Sequence, residues 1–218
     1  MDGQEIIDDA ATILIDPAGS TWSAADLLGY VNDFQSNTCM LKPDAYTVRA
    51  YIPLVAGTKQ QLPTGTDPEL PAGIAVLDVG DNQASGQVCV LCDRELLDAE
   101  NRYWPAGTRE TAAQNWAADP RDPKRFDVTP PNDGSGSLEV LYGAVPPTLE
   151  APTDELVLGQ QYKLAGVIFV LHRAYSKNTK RQDLAKSQGY WNQYLNILGI
   201  KSTAQVAVAP KTSQVVGN

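Results

Sequence analysis

The period of the hydrophobic residues changes twice along this chain of 218 residues. Apolar positions recur at helical spacing near both ends and alternate in the middle, which restricts the chain to mixed α+β arrangements. At the start, Asp2-x-x-Glu5 is a capping-box pattern, and Ile6, Ile7, Ala10, Ile13 and Leu14 share a helix face. Asp16-Pro17-Ala18-Gly19 breaks this helix. A second begins at Ser23, whose spacing to Asp26 repeats the capping box, with Trp22 and Leu27 placed as a hydrophobic staple. Leu27, Leu28, Val31 and Phe34 follow at helical spacing, and Pro43 ends the run because the residue before a proline avoids the α region.

From Tyr46 the pattern alternates. Val48, Ala50, Ile52 and Leu54 interleave with Thr47, Arg49, Tyr51 and Pro53, the signature of a half-buried strand. Ala56-Gly57-Thr58 predicts a hairpin turn into a strand over 59–62, and further strands are predicted over 74–79, 87–92, 125–129 and 137–145. Between them, 93–123 reads as a helical turn that packs Leu96, Leu97 and Trp104, followed by an exposed loop. Helical spacing returns after Pro152. The segment 156–177 is apolar on nearly every side, so it is expected at the centre of a bundle. Thr179-x-x-Gln182 predicts the cap of a last helix carrying Leu184, Trp191, Tyr194, Leu195 and Leu198, which Gly199 ends. The expected architecture is a four-helix-bundle-like part from both chain ends, residues 1–45 and 153–200. A β-rich, sandwich- or barrel-like insertion spans 46–152, and 201–218 form an extended or disordered tail.

Charge is divided unevenly. From Gln160 onward eight Lys or Arg face Asp183 alone, a balance of +7, whereas the first 159 residues carry nine basic and twenty-five acidic groups, −16. Such asymmetry fits either two separate binding surfaces or a basic helix hairpin with solvated side chains, and an acidic chain is poorly suited to tight non-specific DNA binding, which depends on neutralising phosphates. No apolar run is long enough for a membrane span, and the acidic, amphipathic start is unlike a secretory signal.

The residue types that carry catalysis are sparse. His172 is the single histidine and sits in the most apolar helix, where a structural role is expected. Cys89-x-x-Cys92 lies on a predicted strand, so its thiols point to opposite faces, and only Cys39 and His172 remain to complete a zinc set. Neither a metal, a cofactor nor an enzymatic activity is expected. Tyr103, Trp104 and Trp116 lie in the irregular segment; exposed there, they would suit a β-domain that binds a glycan or a host surface.

Several short runs, in order across residues 5 to 200, carry a resemblance. They are Trp22, Asp26-Leu27-Leu28, Asn32-Asp33-x-Gln35, Leu41-Lys42-Pro43-Asp44-Ala45, the stretch from Leu54 to Pro63, and Leu77-Asp78-Val79. Phe126-x-Val128-x-Pro130-Pro131, Tyr142-x-Ala144-x-Pro146-Pro147 and Arg173-Ala174-Tyr175-Ser176-Lys177 complete the series. Together they resemble the head-to-tail adaptor (connector) family of tailed bacteriophages, of the tail-tubular-protein-A type. The resemblance implies a virion structural protein made in the host cytoplasm and placed at the head–tail junction. It implies a homo-oligomeric ring of about twelve copies under the portal protein, which docks the tail, nozzle or next neck protein. Genomic DNA would pass through the ring's channel without specific binding. Arg173, Lys177, Lys180 and Arg181 are the residues expected to contact the portal or a neighbouring subunit.

Overall fold

A computed structural model of the chain describes residues 1–16 and 19–200. The extended tail expected at 201–218 lies outside the described residues. The fold is α+β and divides into two compact units, one formed by Met1–Phe34 with the chain from Leu149 on, the other by Gln35–Thr148.

The first unit holds α1 (Gly3–Leu14), the first part of α2 (Ala24–Leu41), α4 (Lys163–Ser176) and α5 (Leu184–Ile197). Asp2 caps α1 by accepting from Glu5 N at 2.9 Å, and Ile6, Ile7, Ala10 and Leu14 are buried. Ile13, expected on the same face, is instead 48 % exposed, because it lies at the edge of that stripe. The apolar run of α4 is buried continuously from Ala165 to Leu171, as expected of a central helix. Phe34 of α2, Phe169 of α4 and Tyr194 of α5 meet with ring centroids 5.1–6.4 Å apart. A β-carbon on Gly166 would lie 2.8 Å from Ile6 Cδ1 and 3.0 Å from Phe34 Cε1, so glycine sets how closely α4 approaches α1 and α2.

Two helix starts differ from the sequence reading. The helix predicted from 156 begins at Lys163, because Gly159 is extended and the chain first makes a 3-10 turn over Gln160–Tyr162. Thr179 caps no helix. Its hydroxyl accepts from Arg181 N within the turn, and Asp183 caps α5 through Lys186 N at 3.0 Å.

The second unit contains β1 (Thr47–Pro53), β2 (Gly57–Gln61), β3 (Gly73–Asn82), β4 (Val90–Leu91), α3 (Arg94–Glu100), β5 (Asn115–Ala118), β6 (Arg125–Asn132) and β7 (Ser137–Ala144). They form two open sheets, β1-β7-β3 and β2-β6-β5-β4. β1 and β2 are therefore not a hairpin; the chain changes sheet at Val55 and Ala56. The Gln60 amide holds that corner, accepting from Val55 N at 2.8 Å and donating to Val55 O and Gly57 O. Inward residues of both sheets form one core that includes Ile52, Leu54, Val79, Trp116, Phe126, Val128, Leu138, Val140 and Tyr142. Full burial of each such side chain contributes roughly 1.5–3 kcal/mol before chain entropy is counted. Among the described residues no helix is long and apolar enough to cross a membrane.

Candidate functional site

The four basic residues singled out from the sequence lie at one end of the helical unit, where α4 turns into α5. The last carbonyls of a helix lack partners within its regular turns. Arg173 O is served by the end of α4 itself, accepting from Lys177 N and Ser176 Oγ, whereas neighbouring segments serve the next three, beginning with Ala174 O, which accepts from the Trp22 indole at 3.1 Å. Tyr175 O accepts from Asp183 N and Ser176 O from Gln182 Nε2. Trp22 thus joins the entry of α2 to the exit of α4, which fixes the position of the turn.

The loop between α1 and α2 is shaped by Asp16. Its carboxylate accepts from Ser20 Oγ (2.6 Å), Ser20 N (3.0 Å), Thr21 N (2.8 Å) and Trp22 N (3.1 Å). The Ser20 hydroxyl, followed by these amides, holds the carboxyl well below its usual range. At the start of α2 the capping box is formed, with Asp26 N on Ser23 Oγ at 3.2 Å and Ser23 N on Asp26 Oδ2 at 3.1 Å.

Three of the four cations are engaged inside their own unit. Lys177 Nζ lies 2.8 Å from Asp26 Oδ2, and this bond is the main cause that lowers Asp26 and raises Lys177. Arg173 pairs with Asp33 at 2.7 Å and lies over the Tyr30 ring. Arg181 donates to Leu14 O at 2.9 Å and lies over the Trp22 ring. Lys180 is exposed and makes no ion pair among the described residues. Partly exposed pairs of this kind contribute little to stability.

Other sequence candidates have structural surroundings. His172 Nδ1 lies 3.0 Å from both Ser187 O and Ser187 Oγ, and the Ser187 hydroxyl donates to His172 O, a closed exchange between α4 and α5. Burial pushes the Cys89 thiol up to about 12, and Cys92 Sγ contacts Trp116 O at 3.3 Å. Among the described residues no group of three or more His, Cys, Asp or Glu is arranged around a metal position. Trp104 and Trp116 are 6 % and 5 % exposed, and Trp104 Nε1 is committed to Asp98 at 2.8 Å. Of the three aromatics that would serve a glycan-binding surface, Tyr103 alone is open, at 80 %.

The second unit has a cleft of about 1000 Å³ between α3 and β6. Arg94 reaches Asp127 there at 2.6 Å, and burial raises the Asp127 carboxyl. Lys59, Arg121 and Arg125 share the cleft with Asp98 and Asp119, so it has no dominant charge that would select an ion.

Sequence reasoning missed Asp16 and Ile15. Asp16 was read as part of a helix breaker, although Ser20 and Thr21 downstream are the partners an acidic loop anchor needs. Ile15 had no sequence signal, since a left-handed helix exit ordinarily falls on glycine or asparagine.

A family model described as SU10 adaptor protein matches residues 1–214. No curated protein matches the chain.

Proposed function

Because the chain belongs to the SU10 adaptor protein family, we propose that it is a head-to-tail adaptor of a bacteriophage virion. It forms a ring of about twelve copies beneath the portal protein. The ring docks the tail or the next neck component and extends the channel through which DNA leaves. The observation that carries this reading is the extent of the match, which runs through both compact units rather than over one motif.

In this reading residues 1–45 and 153–200 are the helical adaptor core, 46–152 the β-rich insertion, and 201–218 the segment that meets a docking partner. The turn bearing Arg173, Lys177, Lys180 and Arg181 faces the portal or a neighbouring subunit. Lys180 supplies the direct contact, and the other three hold the turn in shape. An acidic channel wall would repel phosphate and keep DNA sliding, which suits the −16 balance of the first 159 residues. The protein works by contact and has no catalytic step.

Deleting the coding sequence from its phage tests the proposal. DNA-filled heads without attached tails, restored by supplying the chain in trans, are the expected outcome. Normal tailed particles in its absence would contradict the reading.

A further inference from the structure

Strand β1 has one bonded edge and one open edge. Leu54 N donates to Gly136 O and Ala144 N to Tyr46 O, so the even-numbered residues of β1 exchange hydrogen bonds with β7. The N–H and C=O groups of Thr47, Arg49 and Tyr51 point the other way, and among the described residues no backbone group bonds them. The side chains that could cover this edge lean across the sheet instead. Arg49 reaches Glu139 on β7 at 2.8 Å, and the Tyr51 hydroxyl reaches Asp81 on β3 at 2.8 Å. On the core side Val48 and Ala50 are only half-buried, so the core is incompletely covered along the same line.

The other sheet edges are blunted. Register shifts interrupt β2 and β3, and β4 has two residues. β1 runs seven residues in unbroken register. An open edge of that length is a template for another extended chain. A second β1 is a poor occupant, because antiparallel pairing would bring two copies of Arg49 together, and like charges across a strand pair repel. The segment 204–209, AQVAVA, fits better. It is uncharged, alternates Val206 and Val208 with Ala207 and Ala209, and is stopped by Pro210. The family match, which runs to residue 214, includes it.

We propose that residues 204–209 of one copy pair as an added strand with the open edge of β1 in the next copy. The inference rests on the ring reading and supplies a contact that closes the ring, since a head-to-tail ring joins two different surfaces of the same chain. Val206 and Val208 extend the inner row of Val48, Ala50 and Ile52, and Ala207 and Ala209 lie on the outer face beside Arg49 and Tyr51.

Photocross-linking tests this. Phage bearing Val206→p-benzoylphenylalanine are purified as virions and irradiated, and a species of two copies joined between position 206 and residues 47–53 is expected. Arg49→Pro removes an N–H that the β1–β7 pairing does not use, and proline is tolerated on an edge strand. It should lower the cross-link roughly tenfold, as loss of a paired backbone group implies, whereas Arg49→Ala, which keeps the N–H, should not. Proline at both Ala207 and Val208 should have the same effect without touching the sheet, because one of two consecutive N–H groups faces the partner strand. An undiminished cross-link in the proline variants would overturn strand pairing. A cross-link to β1 of the same copy, or to a different virion protein, overturns the choice of partner. Absence of any cross-link, in particles holding the normal number of copies, overturns the surface. Absence of the wild-type chain from virions would remove the ring reading itself, and this inference with it.

Discussion

Replacing Trp22 by phenylalanine probes the joint on which the basic turn depends. The indole is 1 % exposed, donates to Ala174 O at 3.1 Å, and meets the Tyr175 ring edge-on at 6.4 Å. Phenylalanine keeps an aromatic ring but removes the donor, leaving a buried carbonyl at the end of α4 without that partner. An unpaired buried group of this kind costs about 1–3 kcal/mol. The smaller ring also leaves about 40 Å³ unfilled, adding about 1 kcal/mol at roughly 24 cal/mol per Å³. The expected loss is therefore about 2–4 kcal/mol. Urea unfolding of the purified chain, followed by far-ultraviolet circular dichroism, should show a midpoint lower by about 1 M for a slope of about 2–3 kcal/mol per M. If the two units unfold separately, only the helical transition should move. A loss below about 0.5 kcal/mol would refute the claim that Trp22 holds the α4 exit.

Two further outcomes separate shape from contact. Lys180→Glu should leave the thermal midpoint of the purified chain unchanged and reduce particle yield, whereas Arg181→Glu should also lower that midpoint through loss of its bond to Leu14 O. Equal stability of the two variants in a thermal scan would contradict this division. Asp16→Asn should destabilise the chain at neutral pH. Because the folded carboxyl titrates well below its usual range, its contribution is present above the ordinary carboxylate pKa and is lost as pH falls through the folded value. The gap between wild type and variant should accordingly narrow in acid, and a gap that widens would contradict it.

The helical elements were legible because local signals and tertiary needs agreed. Ser23 and Asp26 form the capping box their spacing predicts, and Trp22 and Leu27 are both buried at the staple positions. The start of α5 was misread because Thr179 and Asp183 are both good caps, and the bond from Asp183 N to Tyr175 O settles which one starts the helix. In the β-rich unit, strand existence was clearer than strand pairing. The Gly57 turn looked like a hairpin, but β1 pairs with β7 and β2 with β6, partners more than sixty residues away. Alternation reports which face of a strand is buried and carries no information on its neighbour. Strand β5 escaped notice because four residues, Asn115–Ala118, are too few to display a period. At the basic turn, sequence identified the cations. It could not separate Lys180 from the three whose charges are used within the fold, since their partners Asp26, Asp33 and Leu14 lie over a hundred residues away.

The central claim is most directly tested by counting copies of the chain in purified virions, using quantitative mass spectrometry with the major capsid protein as reference. The adaptor account predicts about twelve copies per particle, the number a single closed ring requires. Absence from virions, or copies in the hundreds, would contradict it.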